Sequence, residues 1–150
     1  MATKGLQRLV RRDVLDLLKH SSVVTDLVPA SSIYGQVPPD EPGWPFIKIG
    51  APQTLPLKAA CVDGAEVNLS VHAFSRGRRD ISDALVETAE DHAGRIGAAI
   101  ETALDGARRS IAGVGRVSYR IADTLLLVDG AEPGAFHYVC TLRARVLAYA

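Results

Sequence analysis

Hydrophobic and polar residues alternate through the middle of the chain: Val67, Leu69, Val71 and Ala73 stand between Glu66, Asn68, Ser70 and His72. A period of two is the signature of a strand with one buried face. After Asp80 the period lengthens. Ile81, Leu85, Ala89, Ala93, Ile96, Ile100 and Leu104 recur every three or four residues, with Asp83, Glu87, Glu90, Asp91, Glu101 and Asp105 on the opposite side. This predicts a strand, a tight basic turn and then the longest helix of the protein, its apolar stripe lying on neighbouring strands.

The same reading, applied in chain order, predicts an amphipathic helix over Lys4 to Lys19, with Leu6, Leu9, Val10, Val14, Leu17 and Leu18 on its core side. Ser21 and Ser22 break it, Val23 to Leu27 fit one more short turn, and Pro29 ends any continuation. Ile33 and Tyr34 suggest a short strand. Gly35 to Pro45 contains four prolines and two glycines in eleven residues, so residues 36–44 are expected to be a stiff exposed loop. Strand character returns at PFIKIG, Pro45 to Gly50. Leu57 to Val62 fits either a strand or irregular chain, and Gly64 is expected to mark the turn into the central strand. Glycines at 106, 113 and 115 predict a second loop over residues 106–116, with room for a helical turn.

Two strands end the chain. Val117, Tyr119, Ile121, Leu125 and Leu127 are expected on one face of the first, interrupted by Asp123. Phe136, Tyr138, Cys140, Leu142, Ala144 and Val146 share a face of the second, with His137, Thr141, Arg143 and Arg145 opposite. The connector DGAEPG, Asp129 to Gly134, predicts that they pair antiparallel. The expected class is α+β: one domain over residues 1–150, with a mostly antiparallel or mixed sheet packed by an N-terminal helix and one long central helix.

Composition narrows this picture only slightly. A hydrophobic content of 47% in 150 residues supports one folded domain with a real core. The 17 basic and 17 acidic residues cancel, leaving no net field to draw the chain to nucleic acid or an anionic membrane. Charge is instead segregated: Lys4, Arg8, Arg11, Arg12 and Lys19 make the first helix basic, whereas the long helix is acidic. Arginines and aspartates interrupt Leu6 to Leu18, so it is neither a signal-peptide core nor a membrane span, and assembly in the cytoplasm without a membrane partner is expected. Cys61 and Cys140 are too few for a disulfide framework and read as reduced thiols.

Motifs of chemistry are missing. There is no GxGxxG after a strand, no GxxxxGK[ST], no HExxH and no CxxC. GVGR, Gly113 to Arg116, has neither the lysine nor the following helix of a phosphate loop. His20, His72, His92 and His137 lack zinc-ligand spacing, so neither a metal nor a cofactor is expected. Ser75 near His72 invites a catalytic triad that no GxSxG supports, and the carboxylates at 87, 90 and 91 occupy the polar side of a helix. No catalytic residue is assigned. Arg76, Arg78 and Arg79 form the one dense basic cluster: a solvated turn, a partner for acids nearby or on an adjacent copy, or a sequence-independent contact to DNA phosphates.

The order of these elements resembles the tail-completion, or tail-terminator, family of long-tailed phages and gene-transfer agents. The segments carrying the likeness are PFIKIG, the strand ending Phe74-Ser75-Arg76 directly before the long helix, and the closing FHYVCTLRARV. The resemblance implies a small α+β structural protein, without an active site, that forms a ring, usually a hexamer. That ring sits at the head-proximal end of the tail tube, stops tube growth and joins tail to head. Expected partners are other copies of the chain, the tail tube protein, a head-tail connector or stopper, and non-specific DNA passing through the channel; the expected location is the tail of a virion or gene-transfer-agent particle. A neck connector subunit is the alternative reading, and a small hydrolase of unfamiliar type the third. Candidate contact residues are Arg8, Arg11, Arg12, Trp44, Arg76, Arg78, Arg79, Asp83, Glu87 and Glu90.

Overall fold

The computed structural model describes residues 4–59 and 62–148. Helix α1 (Leu6–Lys19) buries Leu6, Val10, Val14 and Leu18, a spacing of four that keeps one stripe on the core. It begins after Gly5, whose φ of 73° is left-handed, two residues later than the hydrophobic pattern suggests. The short turn expected over Val23 to Leu27 is a four-residue helix, α2 (Ser22–Thr25), which takes in Ser22 and ends at Thr25. Strand β1 (Ile33–Tyr34) pairs parallel with β2 (Phe46–Ile49), and the proline-rich loop lies between them.

Strand β3 (Gln53–Ala59) is regular and antiparallel to β4 (Val62–Ser75), so the undecided segment is strand at Leu57–Ala59 and at Val62, while residues 60 and 61 lie outside the described residues. Pro56 is tolerated because, among the described residues, β3 pairs only with β4, leaving its other edge without a ladder to break. Gly64 is not a turn. It lies inside β4 between Leu57 and Leu147, where a Cβ would come within 2.6 Å of the Val146 carbonyl oxygen, so glycine allows the close approach of backbones.

The predicted helix from Ile81 is shorter than its apolar stripe. Strands β5 (Arg78–Arg79) and β6 (Leu85–Glu87) form a small separate hairpin, and helix α3 covers only Ala89–Leu104. The Asp80 carboxylate accepts hydrogen bonds from the Ser82 and Ala84 N–H groups and the Ser82 hydroxyl, holding a turn in place of a helical one. Asp83 then takes a φ of 65°, outside the helical region. Ile81 is fully exposed and Leu85 half exposed, contrary to their predicted core role. The true start is Thr88, whose Oγ1 accepts from the Asp91 N–H, with Glu90 and Asp91 in the first turn.

The Gly106 to Arg116 segment holds strand β7 (Arg108–Ile111), which pairs with the start of β8 (Gly115–Val128), rather than a helical turn. Strand β9 (Phe136–Ala148) lies between β8 and β4, and all of these contacts are antiparallel. The main sheet thus runs β1-β2-β4-β9-β8-β7, with β3 beside β2 on β4; the parallel β1-β2 pair makes it mixed.

Helices α1 and α3 share one side of this sheet, over a single core that includes Val67, Val71, Ile96, Ile100, Leu142 and Val146. Gly97 lets α3 settle on the Tyr138 ring, since a Cβ there would meet ring atoms at 2.4 Å. Among the described residues the other side of the sheet has no helix over it. In β8 a register shift between Ile121 and Asp123 reverses which side chains face the core. Val117 and Tyr119 are buried, but Leu125 and Leu127 turn to the open face instead of continuing their row. Cys140 is buried opposite Val71, and burial raises its thiol pKa to about 11. The reading of Cys61 lies outside the described residues.

Candidate functional site: charged and aromatic surfaces

The arginine turn at the end of β4 is neutralised side chain by side chain. Arg76 lies 2.8 Å from Glu132 and stacks over Trp44, its guanidinium carbon 4.2 Å from the ring centre. Arg78 donates to Glu87 at 3.3 Å, and Arg79 lies 3.9 Å from the Asp83 carboxylate and donates to its carbonyl at 3.0 Å. Glu87 also receives two hydrogen bonds from Arg95, at 2.9 and 2.7 Å. These Arg95 bonds, and the weaker one from Arg78, pull its carboxyl down to about 2. The strand-turn-strand geometry brings Arg78 opposite Glu87, a pairing with no periodic signature in sequence.

Trp44 is half-buried and tied into an aromatic row. Its ring meets Phe46 edge-on at 4.9 Å; Phe46 stacks on Phe74 at 4.7 Å, and Phe74 on His137 at 4.2 Å. His72 Nδ1 lies 2.7 Å from His137 Nε2, and its Nε2 lies 2.7 Å from Ser70 Oγ. Burial, then the neighbouring His137 and Lys48, lowers the His72 pKa to about 4, so its ring is neutral at pH 7. Trp44 therefore holds the proline-rich loop to the open face of the sheet, with an edge left in solvent.

The imagined Ser75 and His72 pair does not exist. Ser75 Oγ lies 2.7 Å from His92 Nδ1 on α3 and accepts the Gly77 N–H at 2.9 Å. Both side chains are buried, so this pair fastens the end of β4 to α3 and offers no nucleophile to a substrate. A second fastening joins α1 to the far side of the sheet. Arg109 donates to Asp13 at 3.1 Å and to Asp16 at 2.9 Å, while the Tyr119 hydroxyl donates to Asp13 at 2.5 Å. Burial, then this hydrogen bond, pushes the Tyr119 phenol upward.

The remaining predicted contact residues are spread out. Arg8 and Arg12 are exposed on α1, Arg11 is half-buried beside them, and Glu90 is exposed in the first turn of α3. The two helices are neighbours in one layer, so their charges lie side by side on the same side of the sheet. Two features escape a reading by local pattern. One is the run Leu125, Leu126, Leu127 and Val128, which is 58%, 39%, 37% and 62% exposed. The other is a set of arginines from three strands, brought together only by sheet register.

Residues 12–147 match the family model described as tail completion protein gp17. The chain belongs to this tail completion family. Its role is accordingly structural, in a phage-type tail. Among solved structures, a chain of the virion of a native gene transfer agent particle is similar, with a TM-score of 0.75 and 17% sequence identity. The likeness covers 97% of this chain and 100% of that one, and at this identity it speaks to the fold. No curated protein sequence matches. For a tail completion protein the Ser75–His92 pair and the Asp13–Arg109–Tyr119 network are understandable as rivets: both lock helices to the sheet, so that the outer faces stay rigid.

Proposed function

We propose that this chain forms a closed ring, of about six copies by the family pattern, at the head-proximal end of a tail tube, where it ends tube growth and joins tail to head. The observation that carries the reading is the tail completion match over residues 12–147. The outer edge of β8 from Ala122 to Val128 pairs with nothing among the described residues, and that edge carries the exposed Leu125 to Val128 run. A long apolar edge of this kind invites association unless another chain covers it. Trp44 and its loop, the exposed arginines of α1 and Glu90 are further contact points for neighbouring copies or for the tube. Partners in this reading are other copies of the chain, the tail tube protein and a connector or stopper on the head side.

Mass measurement of the purified protein, alone and mixed with its tail tube protein, tests the proposal. A closed oligomer that halts tube elongation is expected. A monomer that leaves tube growth unchanged would remove the reading.

A further inference from the structure

The open face of the sheet gathers five arginines from three strands, spread over 38 residues of sequence. Reading across the strands, Arg108 lies beside Ser118 and then Arg145; Arg120 lies beside Arg143; and Ser110 lies beside Arg116 and then Leu147. At ordinary strand spacing and rise, these three rows on β7, β8 and β9 occupy a patch of roughly 10 by 14 Å at the backbone. All five arginines are exposed, and the only ion pair they make among the described residues is Arg143 with Glu66, at 4.0 Å. Arg120 and Arg143 are direct cross-strand neighbours of like charge, an arrangement that costs stability unless an outside anion lies between them.

We infer that this arginine face binds the phosphate backbone of duplex DNA without regard to sequence. Guanidinium groups match phosphate geometry with two parallel hydrogen bonds, and a polar, strongly basic surface is what nucleic-acid contacts use. An interface with another protein copy centres on apolar and aromatic anchors, and the arginines found there stand beside such anchors. Here the large exposed apolar run is at the other end of β8, beyond the register shift, while the arginine rows hold only Leu147 as a large exposed apolar side chain. No aromatic ring stands among the arginines to stack on an unpaired base, since Tyr119 points into the core. Backbone contact of this kind carries no base information. The inference relies on the ring reading only for the presence of DNA near the protein.

Binding of a labelled random-sequence duplex to the purified protein, in the oligomeric form it adopts, is measured by fluorescence anisotropy over a salt series. The expected result is salt-dependent binding. The double variant Arg120→Gln, Arg143→Gln should reduce the slope of log affinity against log salt by about 2, one for each lost phosphate contact. The triple variant Arg76→Ser, Arg78→Ser, Arg79→Ser should leave that slope unchanged. Absence of binding at low salt, or an unaltered slope in the double variant, would overturn the inference. So would a double variant whose oligomer falls apart while the wild-type protein ignores DNA, since the face would then meet another copy. Tube capping is scored separately, so the ring reading and the DNA inference fail independently.

Discussion

Arg76, Arg78 and Arg79 stand within four residues of one another, whereas Arg108, Arg116, Arg120, Arg143 and Arg145 are spread over 38 residues of sequence. The first group looks like a binding cluster and the second does not. The folded chain reverses this impression. Each arginine of the turn has its own acid, Glu132, Glu87 or Asp83, and Arg76 also lies on Trp44. The arginines of the sheet share one ion pair among the described residues. Density of like charge in sequence is therefore a poor guide to field at the surface, because a hairpin supplies local countercharges while a sheet stacks distant residues in rows.

The most damaging way to disturb this contrast is at Arg109, next in sequence to Arg108 but paired with Asp13 and Asp16. Asp13→Ala would leave the buried Tyr119 hydroxyl without its acceptor and Arg109 with Asp16 alone. A loss of about 2 kcal/mol is expected, the order of cost for unsatisfied buried polar groups, and is read from the denaturant midpoint. A midpoint equal to wild type would show that α1 is held by its apolar stripe alone.

Glu87→Gln tests the turn itself. Glu87 unites Arg78 and Arg95, and because those bonds are largely exposed the expected cost near neutral pH is about 1 kcal/mol. Its carboxyl sits at about 2 in the folded protein, below the ordinary value of 4.5. The stabilisation is therefore complete above pH 4.5 and disappears as pH falls through about 2. Thermal melts of wild type and variant should converge across that window; a constant gap would assign the loss to something other than the carboxylate.

The smallest effect belongs to the open face. Arg120→Gln with Arg143→Gln removes like charges from adjacent strands and should raise stability by a few tenths of a kcal/mol at low salt, fading as salt is added. A substantial loss of stability would mean that these side chains support the sheet and are not a surface held ready for an outside anion.

Much of the architecture was legible in local pattern. The alternation from Glu66 to Ala73 marks the strand correctly, and the four-residue spacing of Val10, Val14 and Leu18 marks α1, because burial of one face imposes those periods whatever the neighbours are. Thr88 followed by Asp91 was also a readable helix start, yet Ile81 and Leu85 fall on the same three-to-four period and extend it falsely. Their exposure, with that of Leu125 to Val128, is physically coherent if these apolar groups serve contacts between chains.

Three decisions needed the assembled sheet. The register shift at Ile121 and Asp123 sends Leu125 and Leu127 to the open face, a reversal that alternation alone does not reveal. Closure of β9 between β4 and β8 places Arg143 beside Arg120, although 22 residues separate them in sequence. Packing of α3 on β4 joins Ser75 to His92 instead of His72. Periods of burial are local consequences of backbone geometry and can be read residue by residue. Pairings across strands depend on register, and register is set only when the whole sheet has closed.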